Sequence, residues 1–262
     1  MRTDLNQLLD GRRWLLREFP FRHIWAESVF APALYEQMIA EFRHLLGAPD
    51  GHGFQRNMPG YDATGHSFRP GYRGAFDIFF SAEFRRLMST VSGAPITCDM
   101  DAGLHHHRPG ARSGRVHNDL SPGWFLARSS SPSPDATVNL SDSARCNYRS
   151  GETPEPGVEV VEMVRALALI YYLDNGPWLP GNGGETGLYL SNTVPVTEPA
   201  SLVPPKDNSM LAFECTPRSF HTYLESRRTR NSPVLWWHRP KEDATSRWGE
   251  EAIASWPRGQ RR

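Results

Sequence analysis

Cysteine is scarce: Cys98, Cys146 and Cys215 are the three in 262 residues. An odd, widely spaced set makes a poor disulfide framework, and no pair has zinc-site spacing. Net charge is also missing. Lys+Arg and Asp+Glu both number 29, which gives a formal charge of zero. Neither a nucleic-acid glove nor a membrane-surface binder fits that balance. No apolar run reaches membrane-spanning length, and the stretch Met1–Leu16 is too polar for a signal peptide. Asn139-Leu140-Ser141 has the form of a glycosylation sequon; without a secretion signal, a chance match is the better account. These absences predict a soluble, cytoplasmic protein with no nucleic-acid or membrane partner.

The chain is rich instead in turn formers and aromatics, with 22 Gly, 22 Pro, 13 Phe and 8 Trp. Its length suits one large domain with a substantial core. Residues 1–94 read as a mostly helical and loop support. Leu34, Met38, Phe42 and Leu45 recur at spacings of four, four and three, on one helical face. Pro32 stands near that helix's start, where a missing N–H is tolerated. A second helix is expected over Ala82–Val91, with His52–Arg73 as loop between them. Residues 95–240 read as strand-rich. Arg165–Asp174 is a nearly continuous apolar run, expected as a strand buried on both faces, although periodicity alone leaves a short buried helix open. Shorter strands follow at Glu185–Leu190, Ser209–Cys215, Phe220–Leu224 and Pro233–His238, separated by turn compositions. That pattern predicts a β-sandwich or double-sheet barrel. Pro233 removes a ladder donor and predicts an edge or bulge in the last strand. Residues 241–262 are left as a tail. Phe125–Gly157 is long and polar, with the composition of a lid or a disordered insertion.

The first chemical signal is His117-Asn118-Asp119. In extended backbone, residues two apart point the same way, so an imidazole and a carboxylate can converge on one ion. With a second, distant His they would form the two-His-one-carboxylate face that binds ferrous iron and leaves positions open. Alone, the pair reads better as a polar turn, since Asp119-Leu120-Ser121-Pro122-Gly123 is good turn chemistry.

Downstream, five stretches occur in a fixed order: IYYLDNGPW (Ile170–Trp178), GGETGLY (Gly183–Tyr189), NSMLAFE (Asn208–Glu214), RSFHTY (Arg218–Tyr223) and RNSPVLWWH (Arg230–His238). Together with the upstream His117-x-Asp119, they resemble the prolyl-4-hydroxylase-like branch of the iron(II)/2-oxoglutarate-dependent oxygenases. The resemblance implies a mainly β fold with flanking helices around a double-stranded β-helix (jelly-roll) core. It implies Fe(II), 2-oxoglutarate and O2 as cofactor and co-substrates, with His221 as the third metal ligand, 102 positions after Asp119 (221 − 119). Arg230, nine positions after His221 (230 − 221), is the implied anchor for the distal carboxylate, because its planar fork pairs with carboxylates. Arg227 and Arg228 are rivals in a turn. Trp236 follows where the family also carries Trp, and Tyr172 and Ile170 are expected to line the same pocket, unless Tyr171 and Tyr172 are core aromatics. Where relatives carry Tyr before the first metal His, this chain has His107, which could bond 2-oxoglutarate, contact substrate or serve the structure. Arg115, Trp124 and Trp237 are candidate substrate contacts by sequence proximity, and each could equally be packing. The implied reaction is hydroxylation of an unactivated C–H with release of succinate and CO2; the Phe125–Gly157 insertion suggests a covered pocket and so a small-molecule substrate, an amino acid or specialised metabolite. A peptidyl hydroxylase and a non-catalytic cupin-like binding protein are the alternatives. Related halogenases replace the metal carboxylate with a small residue; Asp119 is intact.

Overall fold

The computed structural model describes residues 4–11, 13–48, 53–56, 62–127 and 138–254. Four α-helices are present among them: α1 (Leu5–Leu8), α2 (Pro32–Leu46), α3 (Ala82–Ser92) and α4 (Lys241–Trp248). The strands are β1 (Trp14–Arg17), β2 (His23–Glu27), β3 (Gln55–Arg56), β4 (Thr64–Ser67), β5 (Asp99–His107), β6 (Pro122–Leu126), β7 (Asn139–Leu140), β8 (Val160–Tyr172), β9 (Thr186–Tyr189), β10 (Ser201–Val203), β11 (Ser209–Glu214), β12 (Phe220–Tyr223) and β13 (Arg230–Pro240). The larger sheet has ten strands, ordered β1-β2-β11-β8-β13-β5-β4-β3, with β6 beside β8 and β7 beside β5. The smaller has the order β10-β9-β12. The two face each other as the jelly-roll core of a mainly β fold, with helices packed outside the larger sheet.

Strand alternation explains both faces of that sheet. Leu167, Leu169 and Tyr171 of β8 point outward and join Met38 and Phe42 of α2, Phe84 and Met88 of α3, and Phe76 and Phe79 of a 3-10 turn in the main core. Ala168, Ile170 and Tyr172 point inward, against Leu188, Leu211 and Val234. Burial on both sides is why β8 reads as unbroken apolar sequence. Pro32 opens α2, and the Ser81 hydroxyl caps α3 by accepting from Phe84 N–H at 3.1 Å. The left-handed Gly93 (φ 71°) ends α3.

Three elements differ from expectation. The N-terminal support carries the β1–β2 hairpin, which extends the sheet beside β11, and β4, which pairs with β5 inside the expected loop. The C-terminal tail folds into α4, where Ala244 packs on Leu120 and Val164. The fully buried Arg239 ties α4 down, reaching Glu214 at 2.8 Å and Asp243 at 3.2 Å. Finally, the bulge lies not at Pro233 but at Trp237/His238. Pro233 pairs with β5, and pairing with β8 begins only at Val234, so its missing donor falls where that ladder starts.

The outer core rests on aromatic contacts around Phe79, which meets Phe30, Phe84 and Tyr171 edge to face at 5.4–5.7 Å. Phe79→Ala should cost about 3–5 kcal/mol of unfolding free energy, through lost transfer energy and the cavity left behind. Urea denaturation checks the loss. Succinate formation per folded molecule should not change, because the ring faces away from the sheet interior.

Candidate metal and co-substrate site

A two-residue antiparallel bridge joins the metal motif to the smaller sheet. His117 N–H donates to the His221 carbonyl at 3.1 Å, and His221 N–H returns to the His117 carbonyl at 2.8 Å. The bridge brings the imidazole ring centroids to 4.6 Å. His221 Nε2 stands 3.4 Å from Asp119 Oδ2, and His117 Nε2 stands 3.8 Å from Asp119 Oδ1. One ligand atom from each of the three residues falls within a 4.8 Å group, the one such cluster of metal-binding side chains among the described residues.

Hydrogen bonds set the protonation this site needs. His117 Nδ1 lies 2.8 Å from the Arg115 carbonyl, and His221 Nδ1 lies 3.0 Å from the Ser219 carbonyl. A carbonyl only accepts, so each Nδ1 carries a proton, and Nε2 is the ring nitrogen left to face the cluster. Burial, then the neighbouring His221, pushes His117 down to about 4, so it is neutral near pH 7. Burial alone would raise the Asp119 carboxyl; Arg165, and next His221, outweigh it and hold Asp119 well below the usual carboxylate range. Two imidazole nitrogens and one carboxylate suit ferrous iron.

A second polar pocket sits on the same inward face. The Arg230 guanidinium is 4% exposed. Its Nη2 donates to Thr186 Oγ1 and its Nη1 to Ser232 Oγ, both at 3.2 Å. Tyr172 Oη is 2.7 Å from Thr186 Oγ1. The guanidinium lies 5.1 Å from the Tyr172 ring centroid and 5.2 Å from that of Tyr223. Arg230 Nε has no hydrogen-bond partner and the head has no carboxylate partner among the described residues. A buried cation with only neutral partners is costly unless an anion joins it. The buried guanidinium thus offers a place for a carboxylate of a bound acid.

The other candidates fall in different places. Ile170 shares the inward face with Tyr172, whereas Tyr171 faces the outer core and donates to Asn208 Oδ1 at 2.8 Å. Arg227 and Arg228 are exposed. His107 is buried beside this pocket, its ring stacked on Tyr223 at 3.9 Å. Burial, then Arg230, pushes His107 down to about 2, so it is neutral. Trp236 reaches the metal end rather than the Arg230 end: its indole N–H donates to Asp119 Oδ2 at 2.7 Å. Trp237, one residue on, points outward and is fully buried against Phe84, so strand alternation removes it from the substrate contacts. The Arg115 side chain is exposed. The Trp124 indole packs on Gly151, where an added Cβ would stand 2.6 Å from the ring.

Sequence reading missed Thr186, Ser232, Tyr223, Arg165 and Tyr148. Arg165 did carry a signal, as the one charge between Met163 and Leu173. Tyr148 comes from the polar segment expected as a lid or a disordered insertion. Residues 128–137 of that segment lie outside the described residues. The rest is built into the fold: β7 pairs with β5, and Phe125, Tyr148 and Met163 form an apolar cluster.

Residues 156–238 match the family model described as the 2OG-Fe(II) oxygenase superfamily. No curated protein matches the chain by sequence. Among solved structures, a Pseudomonas putida prolyl-4-hydroxylase is similar at TM-score 0.51 and 20% identity, covering 80% of this chain and 88% of that one. A Trichoplax adhaerens prolyl hydroxylase, in complex with a hypoxia inducible factor oxygen degradation domain peptide fragment, is similar at 0.52 and 16%, covering 86% of each. The non-heme alpha ketoglutarate dependent epimerase SnoN from nogalamycin biosynthesis is similar at 0.50 and 13%, covering 92% and 86%. These likenesses establish the shared fold, and the family match covers β8 to β13 with His221 and Arg230 inside it. The match to the 2OG-Fe(II) oxygenase superfamily spans residues 156–238, and with the His117, Asp119 and His221 cluster it supports a dioxygenase that works with Fe(II), 2-oxoglutarate and O2.

Proposed function

We propose that this oxygenase hydroxylates an unactivated C–H bond of a small molecule, an amino acid or specialised metabolite, releasing succinate and CO2. In this reading His117, Asp119 and His221 hold the iron, and Arg230, Tyr172 and Thr186 hold the distal carboxylate of 2-oxoglutarate. The observation that carries it is the pairing of a three-ligand cluster with a separate buried guanidinium that has no carboxylate partner among the described residues. Bound iron supplies the redox chemistry that oxidises 2-oxoglutarate and then the substrate. The chain's own residues bind, orient and exclude water. Arg230 and Thr186 fix one end of the dicarboxylate, and Ile170, Leu188 and Val234 provide an apolar wall beside it. His107 presents a neutral imidazole in the same pocket, where it can bond the dicarboxylate without adding charge.

Asp119 and His221 are 6% and 5% exposed while the His117 side chain is 31% exposed, so a substrate would approach from the His117 side. The likeness to a prolyl hydroxylase crystallised with a peptide keeps peptides in the test. Succinate release should be measured with Fe(II), 2-oxoglutarate and air across free amino acids, proline-containing peptides and specialised metabolites. Stimulation by a small molecule, matched to a product heavier by one oxygen atom, is the expected result. Stimulation by peptides alone would reassign the substrate class. Binding of 2-oxoglutarate with no succinate under any condition would indicate a binding protein.

A further inference from the structure

We propose that Arg165 and Tyr148 form a brace that orients the Asp119 carboxylate for metal binding, so that Tyr148, from the polar stretch after β6, helps build the metal centre. The proposal rests on the metal site assigned above.

The brace begins with an irregularity in the sheet. Trp236 pairs with Ala168 and Trp237 with Leu167, but His238 pairs with Arg165, leaving Ala166 as the extra residue. In a regular ladder Arg165 would share the outward face of Leu167 and Leu169. The bulge turns it inward, as bulges commonly re-aim side chains near functional sites. Arg165 Nη1 then donates to Asp119 Oδ1 at 2.9 Å, while Trp236 Nε1–H donates to Oδ2 at 2.7 Å. One donor on each oxygen fixes the rotation of the carboxylate and leaves each oxygen lone-pair capacity for a metal.

The guanidinium is itself held. It lies 3.9 Å from the Trp236 ring centroid, its Nη2 stands 3.9 Å from Asp101 Oδ2, and its Nε donates to Tyr148 Oη at 3.1 Å. Tyr148 Oη in turn lies 2.7 Å from His238 Nε2. His238 Nδ1 is 3.2 Å from the Asp99 carbonyl, so Nδ1 carries the proton and Nε2 accepts from the phenol. Burial, then Arg165, pushes His238 down to about 3, which keeps that accepting role near neutral pH. The donors therefore run one way, from Tyr148 into His238 and from Arg165 into both Tyr148 and Asp119. The phenol ring is seated by Phe125, edge to face at 5.7 Å, and by Gly123, where an added Cβ would stand 2.4 Å from the ring. A buried ion pair is weak evidence for stability, because desolvation offsets the attraction. This one ends on a metal-binding oxygen, where its geometry has a use.

Tyr148→Phe removes one oxygen and keeps the ring packing; Arg165→Gln removes the charge; Arg165→Lys restores charge without the fork. Each metal-free variant would be titrated with Co(II) under anaerobic conditions, following the visible absorption of the bound ion, beside thermal unfolding. Removing an outer partner of a metal ligand typically weakens affinity about 10–100-fold. Arg165→Gln should fall at the upper end and Tyr148→Phe near the lower, with an altered Co(II) spectrum, and Arg165→Lys should recover part of the loss. Wild-type affinity and spectrum in folded Tyr148→Phe and Arg165→Gln would overturn the brace, even if the unfolding temperature fell. If Arg165→Gln does not fold, Tyr148→Phe decides. Wild-type protein that binds no Co(II), or keeps it in His221→Ala, would overturn the metal site itself, a distinct failure.

Discussion

Alanine at His117, Asp119 or His221 should lower succinate formation from 2-oxoglutarate by more than about 100-fold, beyond the usual loss for an outer partner of a metal ligand. In the proposed reading each residue supplies one of three ligands, and none has a neighbour that can take its place: the cluster holds no fourth His, Cys, Asp or Glu among the described residues. The variants should stay folded. The two histidines sit at a short bridge held by main-chain hydrogen bonds that an alanine retains. Asp119→Ala is the most demanding, since Arg165 loses a partner at 2.9 Å; Asp101, 3.9 Å away, remains to take the charge. Succinate assay and near-ultraviolet circular dichroism together check the point. Near-wild-type turnover in any one variant would remove that residue from the metal set.

Arg230→Ala should raise the apparent KM for 2-oxoglutarate by roughly 30-fold or more. Truncating one partner of a buried charge pair costs on the order of 2–5 kcal/mol, and about 1.4 kcal/mol is a factor of ten. The expectation follows from burial: Arg230 is 4% exposed and bonds the hydroxyls of Thr186 and Ser232. Divalent metal affinity should hold nearly constant, which separates this pocket from the metal ligands. Arg227→Ala and Arg228→Ala serve as controls, because both side chains are exposed. An unchanged KM in Arg230→Ala, or a larger rise in either control, would move the anchor.

The parts of the fold legible in the sequence are those where one local pattern dominates. The Leu34, Met38 and Phe42 stripe and the β8 run needed only periodicity and burial. The β1–β2 hairpin did not show, because Trp14–Arg17 is an edge strand with two half-buried and two exposed residues and no alternating signal. At the site, order and spacing pointed to His117, Asp119, His221 and Arg230. They could not place Trp236, which depends on which end of the inward face it occupies. Nor could they pair Tyr148 with Arg165, because that pairing requires a one-residue bulge, and a bulge changes facing without leaving a composition signal. Tyr148 was hidden further by its setting: a polar, Ser- and Pro-rich stretch reads as solvent-exposed even where one aromatic side chain is buried.

The most direct measurement is a crystal structure of protein loaded anaerobically with Mn(II) and 2-oxoglutarate. The expected result is one ion bound by His117 Nε2, Asp119 and His221 Nε2, with 2-oxoglutarate on the same ion and its distal carboxylate on the Arg230 guanidinium beside Thr186 and Tyr172. An ion held by other residues, or a distal carboxylate paired with Arg227 or Arg228 while Arg230 keeps only its neutral partners, would contradict the account.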